Sequence, residues 1–357
     1  MTDRLAILVG TPKGAFVVDG DTARSEWTLR GPLCEGWPIH DVSVEPGTGA
    51  LLAGGGSPWY GPAVWRSEDL GRTWTHSGEG LTYGDDGPKL ATVWNVTATD
   101  DVIYAGVEPA GLFRSRDRGA SWEHIEGLTN HRTRPEWGPG AGGLILHSIV
   151  PSRDDPDRVW VGISAVGVFE TQDGGATWET RNNGVRAGFQ PDIFPEFGQC
   201  VHKLVMAADG GEHLYQQNHC GVYRSTDGGA QWEEITTGLP SEFGFPMTAH
   251  PRDPQTVWTI PLNGADQGRF MPDASAAVWR THDGGETWAR SGDGLPQQDA
   301  YLQVLREAMA NDGLDPVGIY FGTSTGQLYG SADEGRSWSL IADNLPPIWS
   351  VEAVVVG

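Results

Sequence analysis

The sequence predicts an all-β fold, a seven-bladed β-propeller built of four-stranded antiparallel blades. Three observations lead to this prediction. An octapeptide recurs at intervals of about 50 residues, and each interval contains four strand-like segments. The 357 residues include 51 Gly and 16 Trp, which supply many turns and many large apolar side chains. This composition argues against a disordered chain, which has few aromatic residues, and against a helical bundle.

The octapeptide has the pattern Ser/Thr-x-Asp-x-Gly-x-x-Trp. It occurs six times, at residues 67–74, 115–122, 171–178, 225–232, 281–288 and 331–338. Each copy is typical of a hairpin turn, because the Asp accepts hydrogen bonds from backbone amides and the Gly adopts positive φ at little steric cost. The Trp opens the next strand and is expected to pack between repeats. Trp27, which follows a similar strand at 14–18, marks a seventh, degenerate copy.

The strands of a repeat follow one another in a fixed order. In the best-defined repeat they are expected at residues 144–150, 158–163, 167–171 and 177–181. Four short strands at this period form one propeller blade. Residues 301–310 have the composition of a helix, but their place in the repeat requires a strand, so we predict a strand there.

The two ends of the chain predict how the ring closes. The chain begins with a strand of the second type at 5–10, so blade one lacks its innermost strand. It ends with a strand of the first type at 348–356, which has no successors. We therefore predict that the C-terminal strand completes blade one and removes the open sheet edge. Residues 1–357 are then a single domain.

The charge balance limits the choice of partners. The chain has 24 Lys and Arg against 47 Asp and Glu, a formal net charge of −23. Such a surface repels nucleic acid and anionic lipid, which argues against both as partners. The three Cys are too few for a disulfide scaffold, and the N-terminal apolar run is short. We expect a cytoplasmic protein with neither a signal peptide nor a membrane span.

The octapeptide resembles the Asp-box, or BNR repeat, of sialidases, sortilin-type receptors, oligoxyloglucan hydrolases and photosystem II assembly-factor propellers. The whole chain resembles bacterial seven-bladed proteins described as glycosyl hydrolase-like or sialidase-like. The resemblance implies the fold, because the box is a structural turn that unrelated activities share. Sialidases also resemble one another in an N-terminal Arg-Ile-Pro, whereas the nearest tripeptide here is Arg30-Gly31-Pro32. True sialidase activity is not expected.

The boxes also predict which face of the propeller carries function. Each box joins strands three and four, so the opposite face collects the loops between blades and between strands two and three. The long irregular segments belong to that opposite face, at residues 79–93, 126–143, 182–199 and 261–277. Long loops on a rigid scaffold commonly carry binding and catalytic residues.

The starts of the first strands place one residue of each blade at the channel mouth. Aligned on the repeat, this position carries His40, Trp94, His147, His202, Met247, Gln303 and Trp349. We predict His40, His147 and His202 as catalytic residues and as ligands of a divalent metal ion (zinc, copper or manganese) near the axis. The alternative is that these imidazoles bind water in a polar channel.

A second group of metal-binding residue types lies in blade five. Cys200 and His202 begin its first strand, and His219 and Cys220 end its second. The hairpin between these strands brings residue 200 opposite residue 219, so all four side chains are candidate metal ligands. A Cys beside a His is also a candidate nucleophile. The alternatives are buried free thiols or a Cys200–Cys220 disulfide, which a reducing cytoplasm disfavours.

Aromatic and polar residues of the same face are candidate ligand-binding groups. We predict that a small molecule or a carbohydrate-like ligand is bound by Trp94, Trp349, Gln303, Trp59, Trp137 and Glu108. The leading hypothesis is a His-lined small-molecule site, with metal-assisted hydrolase or lyase chemistry if the protein is an enzyme. One alternative is a non-catalytic binding or assembly propeller. Another is a glycoside hydrolase that uses two loop carboxylates.

Overall fold

The computed structural model describes residues 4–57 and 59–356. They form a ring of seven four-stranded antiparallel sheets, as predicted. Among the described residues, helical structure is limited to α1 (Glu126–Thr129) and to three 3-10 turns at Arg134–Glu136, Ala265–Gln267 and Pro272–Ala274. None of the helices in the described part of the chain has the length and apolar character that crossing a bilayer would require.

Each blade uses consecutive strands, except that blade one borrows its innermost strand from the C-terminus. Blade one consists of β28 (Ser350–Val356), β1 (Arg4–Thr11), β2 (Gly14–Asp21) and β3 (Trp27–Leu33). Blade two consists of β4 (Ile39–Val44), β5 (Leu51–Ser57), β6 (Gly61–Ser67) and β7 (Thr75–Ser77). Blade three consists of β8 (Thr92–Ala98), β9 (Ile103–Glu108), β10 (Leu112–Ser115) and β11 (Glu123–His124).

The remaining blades repeat this pattern from the channel outwards. Blade four consists of β12 (Leu146–Pro151), β13 (Val159–Ile163), β14 (Gly167–Thr171) and β15 (Glu179–Thr180). Blade five consists of β16 (Val201–Met206), β17 (Leu214–Asn218), β18 (Gly221–Ser225) and β19 (Glu233–Glu234). Blade six consists of β20 (Gly244–Ala249), β21 (Val257–Pro261), β22 (Val278–Thr281) and β23 (Ala289–Ser291). Blade seven consists of β24 (Met309–Asn311), β25 (Ile319–Gly322), β26 (Leu328–Ser331) and β27 (Ser339–Ala342).

The octapeptides form the turns that the sequence predicts. In the third copy, the Asp173 carboxylate accepts hydrogen bonds from the backbone amide of Thr177 (2.9 Å) and from the Thr171 hydroxyl (2.8 Å). Gly175 has a φ of +94°, which a side-chain-bearing residue rarely adopts. Trp178 is buried, and its indole N–H donates to the Gly175 carbonyl at 3.2 Å. The box is therefore a self-contained turn, and its aspartate is occupied by structural hydrogen bonds.

Two contacts close the ring between its first and last elements. Strand β28 pairs with β1 from Arg4 opposite Val356 to Gly10 opposite Ser350, which confirms the predicted C-terminal closure. Further out, Arg24 of blade one forms an ion pair with Asp312 of blade seven, with Nε 2.8 Å from the carboxylate. The C-terminal strand is thereby built into blade one, and the ion pair joins blade one to blade seven.

The segment before β24 differs from the prediction. A strand was expected over 301–310, but the strand begins only at Met309. Residues 301–308 instead form hydrogen bonds with neighbouring loops. The Leu302 carbonyl accepts a hydrogen bond from the amide of Met271, and the Gln303 carbonyl accepts one from the amide of Ser324. These loop contacts take the backbone groups that a longer β24 would have paired with β25.

Candidate functional site

A ring of seven side chains surrounds the channel on the face opposite the boxes. In blades two to five, the ladder between the first two strands shifts register at His40, Trp94, His147 and His202. A β-bulge leaves its extra residue unpaired and re-aims its side chain. In blade six the shift spans Phe245 and Pro246. A bulge therefore recurs where the first strand begins in blades two to six, whereas the corresponding ladders of blades one and seven show no register shift.

Two members of the ring differ from the sequence alignment. Blade six contributes Phe245 and not Met247, because the bulge there has an extra residue, Pro246. Blade seven contributes Arg306 and not Gln303, because the irregular segment before β24 displaces the strand start. The structure therefore places an unexpected cation at the channel mouth.

Five members of the ring, with Leu305 and Glu307, line a small axial chamber of about 260 Å³; these five are His40, Trp94, His147, Arg306 and Trp349. His40 lies between two indoles, with ring centroids 4.4 Å from Trp94 and 4.6 Å from Trp349. Burial lowers the pKa of His40 to about 4, so this imidazole is neutral at pH 7. Glu108, a predicted ligand-binding residue, accepts the indole N–H of Trp94 at 2.9 Å and so orients the chamber wall.

The structure does not bring the three ring histidines together. His147 is buried, and its two nitrogens lie 3.1 Å from the Ser148 hydroxyl and 3.0 Å from the Val201 carbonyl. Burial holds its pKa well below the ordinary value. These contacts use both nitrogens in the protein interior. His40 and His147 line the axial chamber and His202 lines a different cavity, so the geometry gives no common centre for the three histidines.

Four ionisable groups lie further down the channel. Lys203 forms an ion pair with Glu307, and Asp41 accepts hydrogen bonds from the Asn95 amide and the Val96 backbone, both at 2.8 Å. Burial raises the pKa of Asp41 well above its ordinary value, and it raises that of Glu352 to about 7. Burial, reinforced by the negative charge of Glu307, therefore favours the protonated forms of Asp41 and Glu352.

Replacing Glu352 with Gln is expected to stabilise the protein in a pH-dependent way. A raised pKa means that the folded protein keeps a proton that the unfolded chain releases, so stability falls as the pH rises from about 4.5 to about 7. Glu352→Gln removes this cost and should raise the free energy of unfolding by about 1–3 kcal/mol near pH 8, with little change near pH 5. Urea unfolding at both pH values measures the difference. The exposed Glu212→Gln control should show no pH-dependent gain, and an equal effect of Glu352→Gln at both pH values would contradict the assignment.

A much larger cavity opens beside the ring, and we call it the mouth cavity. Its volume is about 1050 Å³. Three inter-blade loops, at 136–142, 189–200 and 303–306, form part of its walls. The starts of β16 and β20 form another part. The rest comes from the loops between strands two and three, which carry Ser164, His219 and Arg269. All these segments belong to the face opposite the boxes, where the sequence places function.

One wall of the mouth cavity combines aromatic rings with two arginines. Arg306 lies against Phe245, with its guanidinium carbon 5.0 Å from the ring centroid, and it lines both cavities. Its Nε is buried without a hydrogen-bond partner, and no ion pair to Arg306 occurs within residues 4–57 and 59–356. Arg269 lies over Phe243 and Phe245 at 5.8 and 5.9 Å. The wall therefore presents positive charge and apolar ring faces to a ligand.

Three of the four predicted metal-binding residues of blade five meet in the same wall. The thiol of Cys200 and the imidazoles of His202 and His219 have donor atoms within 4.8 Å of one another. In the described part of the chain, no other three His, Cys, Asp or Glu residues come together closely enough to share a metal ion. We call these residues the Cys–His trio. Sγ of Cys200 lies 3.6 Å from Nε2 of His202, whose Nδ1 lies 2.6 Å from the Gly244 carbonyl. Cys220 is buried outside the trio, and all three cysteines are free, so no disulfide forms.

The predicted ligand-binding residues fall in different places. Gln303 lines the mouth cavity, whereas Trp94 and Trp349 line the axial chamber. Trp59 is 90% exposed and lines neither cavity. Trp137 is buried against Phe169, at a centroid distance of 5.1 Å, and belongs to the core.

Several groups of the mouth cavity are not among the residues predicted from the sequence. Phe243, Phe245 and Arg306 were not singled out, although each lies just before or at a first-strand start. The repeat gives no signal for Arg306, because the strand pairing aligns Arg306-Glu307-Ala308 with Leu146-His147-Ser148. Phe189 is half-exposed on the loop before blade five, and only the folded structure shows that this loop turns towards the cavity.

Comparison with known proteins supports the fold. A family model described as BNR-Asp box repeat matches residues 112–125, which include the second octapeptide. A xyloglucanase from Paenibacillus sp is 28% identical over 277 residues, covering 69% of this chain and 25% of the relative. An oligoxyloglucan-reducing end-specific xyloglucanase from Emericella nidulans is 24% identical over 234 residues, covering 57% of this chain and 27% of the relative. The chain thus spans about a quarter of these relatives.

Solved structures show the same architecture at low sequence identity. The GH74 xyloglucanase from Xanthomonas campestris superimposes with a TM-score of 0.63 and 19% identity, over 95% of this chain and 52% of the other. YCF48 bound to D1 peptide superimposes with a TM-score of 0.54 and 15% identity, over 89% of this chain and 86% of the other. At these identities the likeness establishes the fold alone. The chain is a seven-bladed propeller that carries the BNR-Asp box repeat.

Proposed function

We propose that the protein is a glycoside hydrolase-type propeller that takes an oligosaccharide into the mouth cavity. The observation that carries the proposal is the 28% identity to a xyloglucanase, which extends over 69% of this chain and so over several blades. The substrate class that follows is a glucan-backbone oligosaccharide of the xyloglucan type. The hypothesis of one site built on all three ring histidines gives way to this proposal, because His40 faces aromatic rings and His147 faces a backbone carbonyl.

The mouth cavity has the size and lining that an oligosaccharide needs. At about 1050 Å³ it exceeds the usual range for drug-sized ligands, about 300–1,000 Å³. Phe189 offers a half-exposed ring at the rim, and aromatic rings stack on the apolar faces of sugars. Gln190, Gln303 and Arg269 offer hydrogen-bond groups for hydroxyls around the same space.

Two carboxylates of the cavity are available for acid and base roles. Glu136 comes from the loop between blades three and four, and Asp192 from the next inter-blade loop. The third carboxylate, Glu196, is held in an ion pair with Arg132. Glycoside hydrolysis uses one carboxylic acid to protonate the leaving oxygen, and a second carboxylate as base or nucleophile. We assign these two roles to Glu136 and Asp192 as a pair.

Removing the rim aromatic is expected to weaken oligosaccharide binding. Phe189→Ala should raise the dissociation constant for a xyloglucan oligosaccharide about tenfold, because an aromatic stacking contact contributes about 1.4 kcal/mol. Isothermal titration calorimetry measures this change. Phe194→Ala is the matched control, because Phe194 is equally exposed on the same loop but does not line the cavity. Absence of binding by the unmodified protein, or equal losses in both variants, would contradict the proposal.

A further inference from the structure

The Cys–His trio has a ligand set that is typical of transition-metal sites. Thiolate sulfur and imidazole nitrogen are the protein ligands preferred by Zn²⁺ and Cu⁺. We propose that Cys200, His202 and His219 bind one thiophilic metal ion in the wall of the mouth cavity, with a fourth coordination position open to the cavity. The proposed hydrolase function neither requires nor includes this site.

The separation of two donor atoms fits a shared metal ion. A tetrahedral zinc ion with bonds of about 2.3 Å to sulfur and about 2.1 Å to nitrogen holds these two atoms about 3.6 Å apart. Sγ of Cys200 and Nε2 of His202 are 3.6 Å apart. His219 is half-buried, and its donor atom lies within 4.8 Å of both, so a small side-chain rotation completes a three-ligand site.

The surroundings of His202 fix the nitrogen that faces the thiol. Nδ1 of His202 donates to the Gly244 carbonyl at 2.6 Å, which leaves Nε2 as a free lone pair directed at Cys200. Metal-bound histidines commonly donate their second nitrogen to a carbonyl or carboxylate in this way.

The backbone brings the three ligands together without depending on a distant loop. Cys200 precedes β16 and His219 follows β17, and the His219 amide donates to the Cys200 carbonyl at 2.9 Å. Two of the ligands are thus joined by a backbone hydrogen bond of one hairpin, and the third lies two residues away from Cys200. Ligands on a scaffold of this kind are held close to their binding geometry.

The cavity sets the chemistry of the open position. The mouth cavity surrounds this position with charges of both signs, two arginines (Arg269 and Arg306) and three carboxylates (Glu136, Asp192 and Glu196). A divalent ion with a single thiolate ligand keeps a net positive charge of its own, so an oxygen donor such as water, hydroxide or a carboxylate suits the fourth position. The site accordingly has the three-ligand, open form of catalytic zinc centres.

The metal alone is sufficient to test this proposal. Metal-stripped full-length protein titrated with Co²⁺ should take up one equivalent and develop the thiolate-to-cobalt charge-transfer band together with the strong visible bands of tetrahedral cobalt. Zn²⁺ should then displace the cobalt and remove the bands. Cys200→Ser and His219→Gln should each lower the Zn²⁺ affinity about 100-fold or more, measured by competition with a chromophoric chelator.

A matched variant and a second readout keep the test decisive. Cys220→Ser removes the neighbouring thiol outside the trio and should leave Zn²⁺ affinity unchanged, while circular dichroism checks that all variants are folded. Zn²⁺ should also protect Cys200 from iodoacetamide, as measured by mass spectrometry of its peptide. Cobalt uptake without the charge-transfer band, or equal Zn²⁺ affinity in Cys200→Ser and the unmodified protein, would overturn the proposal.

Discussion

Asp312→Ala is expected to lower the free energy of unfolding by about 3–5 kcal/mol, the cost of breaking a buried ion pair. The Asp312 carboxylate is fully buried and accepts hydrogen bonds from Arg24 Nε at 2.8 Å and from the Tyr320 hydroxyl at 2.8 Å. It also accepts hydrogen bonds from the backbone amides of Leu314 and Gly318. The substitution leaves Arg24 buried without its charge partner, at the junction where the last blade meets the first.

Chemical denaturation measures this loss, and pH adds an independent check. Burial alone would raise the pKa of Asp312, but the hydrogen bonds from Arg24 and the backbone amides hold it below the ordinary value. Its stabilisation is therefore complete above about pH 4 and disappears as the pH falls through the lowered pKa. Glu123→Gln breaks an exposed ion pair with Arg114 and should cost less than about 1 kcal/mol. Equal effects of the two variants would contradict the closure role of Asp312.

Glu136→Gln and Asp192→Asn are each expected to lower kcat on xyloglucan oligosaccharides by about 10²–10⁴-fold, the usual contribution of a positioned acid or base. The dissociation constant should change little, because each substitution removes an ionisable group and keeps the shape of the side chain. Reducing-end assays at saturating substrate measure kcat, and calorimetry measures binding.

The segment between blades three and four, which carries Glu136, also offers a control residue for the hydrolysis experiment. Glu126 is exposed on the loop that carries Glu136 but does not line the mouth cavity, so Glu126→Gln should leave kcat unchanged. Oligosaccharide binding with no turnover by the unmodified protein would contradict the catalytic roles of Glu136 and Asp192. That result would instead indicate that the protein binds carbohydrate without hydrolysing it.

The repeat is the reason that the fold could be predicted from sequence. Each box is local, because its hydrogen bonds connect residues within one octapeptide, such as Thr171 with Asp173 and Asp173 with Thr177. The closure by β28 could be predicted because the chain begins with a strand of the second type and ends with a strand of the first type. The pairing of Gly10 with Ser350 confirms it. The Arg24–Asp312 ion pair connects residues 288 positions apart, and no local pattern predicts it.

The site was less predictable, because its position depends on bulges and loops. A bulge with one extra residue changed the blade-six ring member from Met247 to Phe245, since side-chain direction alternates along a strand. The loop before β24 moved the blade-seven member from Gln303 to Arg306. The Cys–His trio was foreseeable because one hairpin carries it, whereas the shape of the mouth cavity depends on inter-blade loops without a repeating pattern.

A crystal structure of the protein with a xyloglucan oligosaccharide tests the central claim most directly. We expect sugar density in the mouth cavity, with one ring stacked on Phe189 and a glycosidic oxygen between the Glu136 and Asp192 carboxylates. Density only on the box face, only against the exposed Trp59, or none at saturating ligand would contradict the assignment of the mouth cavity as the functional site.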